Sequence, residues 1–142
     1  MSLYSEQLAH LKKEISIISN KKKHLKPSKR FKKHQKQMID FIHSIIKSVE
    51  IEVNYKTIIL EKGDSKKGFI HIIKKHYNPN DLKTMDILNL PIIFKDAIEM
   101  VEKGVSNKYL NVYSRMKNQE EYKIITNEKK ENKLVVTSYR KT

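Results

Sequence analysis

The sequence predicts an α+β fold: an N-terminal basic helical hairpin, then helices packed on one face of an antiparallel β-sheet built from a C-terminal three-strand meander plus one or two earlier strands. Three observations lead there. Apolar residues recur at three- and four-residue steps over residues 3–19 and again from about Ser28 to Ser48, the period drops to two at Val49, and the last third alternates apolar with polar residues in three runs broken by polar turns. A chain of 142 residues suits one core with an appendage. Residues 1–48 are expected to form the hairpin appendage and residues 49–142 the α+β domain.

Residues 3 to 19 place Tyr4, Leu8, Leu11, Ile15 and Ile18 on one helical stripe. Lys21 to Lys36 then carries eight lysines and Arg30 with no acidic residue, and Pro27 within it suits the first turn of a second helix. That helix is expected from about Ser28 to Ser48, lined by Phe31, Met38, Phe41, Ile42, Ile45 and Ile46. Val49, Ile51, Val53 and Tyr55 alternate with Glu50, Glu52 and Asn54, and Thr57 to Leu60 is an apolar run, which reads as one or two short strands. The polar loop Glu61-Lys62-Gly63-Asp64-Ser65 offers Asp64 or Ser65 as an acceptor for amides at the next helix start. On that helix, Gly68 to Tyr77, the wheel gathers Phe69, Ile72, Ile73 and Tyr77 on one face with His76 among them. It sends His71, Lys67, Lys74 and Lys75 to the other side. Asn78-Pro79-Asn80-Asp81 is a turn, because Pro79 cannot continue a helix. A short helix around Leu82 to Leu88 and another from Ile92 to Lys103, closed by Gly104, complete the helical part.

The strand-like runs are Lys108 to Met116, Glu120 to Asn127 and Lys133 to Arg140. Alternation puts Leu110, Val112, Met116, Tyr122, Ile124, Leu134 and Val136 on a helix-covered side. The open side is then expected to carry Tyr113, Arg115, Lys123, Thr137 and Tyr139, a mixture of aromatic and cationic residues suited to base stacking and phosphate contact. Open antiparallel faces are also routinely polar, and tyrosine is a good strand former in any role.

Charge and composition narrow the classes. Thirty Lys and Arg stand against 16 Asp and Glu, a formal charge of +14, which biases encounter toward polyanions and nucleic acid first. The longest apolar runs are too short to span a bilayer, so no membrane partner is expected. No secretory signal is recognisable and there is no cysteine, so a cytoplasmic location is expected, or delivery into the cytoplasm of a target cell. The chain has no glycine-rich phosphate loop, no Gly-x-Ser-x-Gly elbow and no His-Glu-x-x-His pair. Its acidic residues are scattered, and His71 and His76 are turned apart by the wheel, so no metal site and no cofactor are expected. Metal-free acid–base chemistry remains. RNA carries its own nucleophile, the 2'-hydroxyl, and its cleavage needs a base, an acid and cations to hold the phosphate charge.

Gly68-Phe69-Ile70-His71-Ile72-Ile73-Lys74-Lys75-His76, followed by helices, strands and a terminal Leu134-Val135-Val136-Thr137-Ser138-Tyr139, resembles the barnase/EndoU/colicin/RelE-like superfamily of endoribonucleases, in particular its phage-associated branch. The resemblance covers about Val49 to Thr142. It departs at Phe69, where leucine is more usual, and in how little chain follows the last strand. It implies a nuclease-like domain over 49–142, RNA bound at the open side of the sheet, and metal-independent cleavage. The family roles would fall on His71, His76, Thr137 and Tyr139 as catalytic residues. Lys75, Arg115, Lys123, Tyr113 and Arg140 would contact RNA and its phosphates. The helix dipole favours a charged imidazole at His76, near the C-terminal end. Which histidine meets the substrate is left open by the residues alone. An acidic immunity or antitoxin protein is an expected partner of such a basic, toxin-like hydrolase. The competing reading is a non-catalytic nucleic-acid-binding or phage structural protein that uses the basic hairpin.

Overall fold

A computed structural model describes residues 3–53, 56–78, 81–104, 107–109, 112–117, 120–130 and 133–141; within 107–141 it describes side chains only at Ile124, Ile125, Thr126 and Val136. The fold is α+β, with helices α1 (Leu3–Lys22), α2 (Lys33–Ile42), α3 (Gly68–His76), α4 (Thr84–Leu88) and α5 (Leu90–Glu102). The strands are β1 (Ser48–Val53), β2 (Lys56–Glu61), β3 (Asn107–Tyr109), β4 (Val112–Lys117), β5 (Glu120–Lys130) and β6 (Lys133–Lys141).

The alternation at Val49 becomes a β1–β2 hairpin in which Val49 pairs with Leu60 and Ile51 with Ile58. Paired residues share a face, so these four build the covered side, while Glu50 and Glu52 sit exposed on the other. The sheet has six strands in the order β1-β2-β6-β5-β4-β3. Every pair is antiparallel except β2 with β6, which run parallel through Ile58↔Leu134 and Ile59↔Val135. A purely antiparallel sheet was the expectation. The parallel seam arises because the chain leaves β2 through the helices and returns to its edge with the last strand, which lies between the two hairpin systems.

The run Lys108 to Met116, expected as one strand, is two: β3 pairs back on β4 through Tyr109↔Val112. The alternation across the meander also fails. Tyr113 pairs with Ile124 and Ile124 with Tyr139, so the three form one row across β4, β5 and β6. Ile124 is buried, which places the positions of Tyr113 and Tyr139 on the helix-covered face. Arg115, paired with Tyr122, follows them. Lys123 pairs with Arg140, and that row keeps to the opposite face. The cause in β6 is a register shift between Ile125 and Thr126. Ser138 faces Ile125 and Val136 faces Thr126, leaving Thr137 as the extra residue of a bulge. A bulge breaks the period of two and turns every later position over.

The two N-terminal helices are not an appendage. Leu11 and Ile15 of α1 and Met38, Phe41 and Ile42 of α2 belong to the same buried cluster as Val49, Ile58, Phe69, Ile72, Phe94, Ile124 and Val136. Their apolar stripes are too large to leave in water and find the sheet's helix side instead. α1 packs on α3 and α4, while α2 packs on α4, α5 and β1, so they do not form a hairpin standing apart. Pro27 opens a short 3-10 turn, Pro27–Lys29, and α2 begins only at Lys33. α2 also ends early. Ser44 adopts φ 60°, its amide donates to Phe41 O and the Ile45 amide to Asp40 O, the two bonds of a Schellman stop. Ile45, expected in the core, is thereby 71% exposed.

Candidate functional site

The histidine helix α3 is set by two structured flanks. Before it, Gly63 and Gly68 take positive φ values of 65° and 81°, and a Cβ on Gly63 would lie 2.1 Å from Lys67 O. Only glycine permits this closed loop. Asp64 Oδ1 accepts the amides of Lys66 (2.8 Å) and Lys67 (3.2 Å), which tightens the same turn. Those amide bonds hold the Asp64 carboxyl below its ordinary range. The folded loop presents the Ser65 carbonyl to His71 Nδ1 at 3.0 Å. Beyond the helix, the Leu82 amide donates to His76 O (2.9 Å) and the Asp81 amide to Asn78 O (3.1 Å), so the chain doubles back as the turn residues predict. Positions 79 and 80 of that turn lie outside the described residues.

This return delivers Asp81, whose Oδ2 lies 2.9 Å from His76 Nδ1, with both side chains 18% exposed. Its other oxygen, Oδ1, is buried with no hydrogen-bond partner among the described residues. The wheel turned the two histidines apart, yet their ring centroids are 6.0 Å from one another with planes at 78°. A wheel fixes the Cα–Cβ directions only. Here each ring swings to its own acceptor, and both are partly exposed on one flank of α3.

The hydrogen bonds assign proton positions. A backbone carbonyl and a carboxylate oxygen accept, so Nδ1 donates in both rings and Nε2 is the atom left to exchange protons. Lys75 is exposed beside the pair. α3 lies against β6, the strand that carries Thr137 and Tyr139, and the bulge turns the Tyr139 position to that same covered face. The side chains of Tyr113, Arg115, Lys123, Thr137, Tyr139 and Arg140 lie outside the described residues. Sequence reasoning did not assign Asp81 a role beside His76. The available signal was an acid five residues after a histidine with a proline turn between them, which obliges the chain to reverse.

Family models, curated proteins and solved structures give no match to this chain. The site is therefore read from its own geometry. Among the described residues no three His, Asp or Glu side chains converge as a metal ion requires, and no helix is long and apolar enough to cross a membrane. Lys62, the other notable cation near α3, is structural. It donates to Phe41 O at 2.6 Å and lies 4.5 Å and 5.2 Å from the Phe41 and Phe69 ring centroids. Burial, then the neighbouring Lys12 charge, lowers its pKa.

Proposed function

We propose that the protein is a metal-independent endoribonuclease of the type its sequence resembles. The observation that carries this reading is the His71–His76 pair, two partly exposed imidazoles 6.0 Å apart with Nδ1 of each anchored. In that reaction one Nε2 takes the 2'-hydroxyl proton as O2' attacks the adjacent phosphorus. The other gives a proton to O5' as the P–O5' bond breaks, leaving a 2',3'-cyclic phosphate and a free 5'-hydroxyl. His71, held by a neutral carbonyl, suits the base. His76, held by Asp81, suits the acid, with Asp81 as its positioning residue. Lys75 supplies positive charge at the phosphate, and Thr137 and Tyr139 retain the roles implied by the resemblance. The net charge of +14 favours RNA encounter and would hasten association with an acidic inhibitor protein.

The decisive test incubates the full chain with total RNA in EDTA. Cleavage to cyclic-phosphate ends is expected, and His71→Ala and His76→Ala each lower the rate about 100-fold or more. Asp81→Asn lowers it by a smaller factor. Absence of cleavage, or cleavage only on adding a divalent metal, overturns the proposal.

A second reading is favoured by the segment between α1 and α2. Arg30 Nε donates to Leu25 O (2.9 Å) and Lys22 Nζ to Lys29 O (3.0 Å), so the turn is tied by its own cations. Lys23, Lys26, Lys33 and Lys36 are exposed. Such a surface tracks phosphates without cleaving. RNA retention that is insensitive to the histidine variants but is lost with salt and with neutralised lysines would support it.

A further inference from the structure

A cavity of about 390 Å³ opens between α1 and the chain that follows α3. Its α1 wall carries Glu6, Gln7, His10 and Glu14, and its other wall includes Tyr77, Leu82 and one cation, Lys83. In a chain with a surplus of 14 positive charges, this wall is acidic. Neither Glu6 nor Glu14 has a salt-bridge partner among the described residues. Gln7 Nε2 donates to Tyr77 O at 2.9 Å, which fixes its Oε1 as an acceptor, and that oxygen has no partner among the described residues. The Tyr77 and His10 rings, 5.9 Å apart, add π faces and apolar surface. Burial pushes the Tyr77 phenol above its ordinary range, opposed by its hydrogen bond with Thr84 and reinforced by the Glu14 carboxylate.

We propose that this cavity binds a linear aliphatic polyamine. Two carboxylates that outnumber the single lining cation and form no ion pair among the described residues, an acceptor with no donor among those residues and two rings call for a ligand with N–H donors, positive charge and an apolar stem. Glu6 and Glu14 are eight residues apart on one helix, which separates them by about 12 Å along the axis. An extended chain of spermidine's length reaches both carboxylates while its methylenes lie on Leu82 and Tyr77. A metal ion fits less well, because no three ligating side chains converge here. The proposal is independent of RNA cleavage and applies equally to the His71→Ala protein.

Isothermal titration calorimetry of the full chain with spermidine, at about 0.1 M salt to screen diffuse attraction, reads it directly. Saturable one-to-one binding is expected, with Glu6→Gln and Glu14→Gln each weakening it about fivefold, the effect of losing one partly exposed charge pair. The shorter 1,3-diaminopropane reaches one carboxylate at a time and binds more weakly. Amide chemical shifts should move along α1 and residues 77–84, a readout that needs no variant. Absence of saturable heat, unchanged affinity in the double variant, displacement by magnesium chloride at matched ionic strength, or shifts spread over the whole chain would each overturn the assignment.

Discussion

Asp81 orients a histidine that the helix alone would leave free to turn. It fixes which ring nitrogen of His76 bears the proton, as the Ser65 carbonyl does for His71. Asp64 works one step further back, by closing the loop that places Ser65. Its depressed pKa has a defined consequence. A carboxylate favoured in the fold contributes stability that is fully present above its ordinary value of 3.8 and is lost as pH falls through its lower folded value. Thermal melts between about pH 5 and 2 should therefore show wild type losing more stability than Asp64→Asn, while the two curves run parallel above that window. The contribution is small, because the group is exposed. At this scale the two histidines were legible as residue types in an apolar-cationic pattern. Their ring separation was not, since it depends on where two acceptors from outside the helix come to lie.

Helices and strands were readable where their period continued and misread where one residue interrupted it. Ser44 ends α2 by taking a left-handed conformation, which nothing in the run Phe41 to Ile46 announces. The residue that bears such a φ without cost is glycine, so Ser44→Gly is expected to stabilise the fold by about 0.5–1 kcal/mol in urea unfolding, with the helix boundary unchanged. The bulge beside Thr137 is the strand counterpart. Alternation along β6 was sound up to Val136 and inverted after it, because the extra residue has no partner on β5. That inversion sets the Tyr139 position on the same face as α3 rather than across the sheet from it.

For the whole molecule, burial decided what charge had obscured. The lysine-rich segment made residues 1–48 look separable, yet Leu11 at 0% exposure and Ile15 at 3% are core residues beside Phe69 and Ile72. Leu11→Ala should accordingly cost about 3 kcal/mol and shift one cooperative unfolding transition. An appendage would give a separate early transition while the sheet remained folded. By itself, the sequence determined the class α+β, the approximate elements, the net charge of +14 and the two histidines, since local period and composition encode these. Only the tertiary structure decided the parallel β2–β6 seam, the single core, the bulge-set face of Tyr139 and the meeting of His71 with His76 and Asp81. Those depend on long-range pairing and on loops that reverse, where distant parts of the chain supply the partner that no local pattern contains.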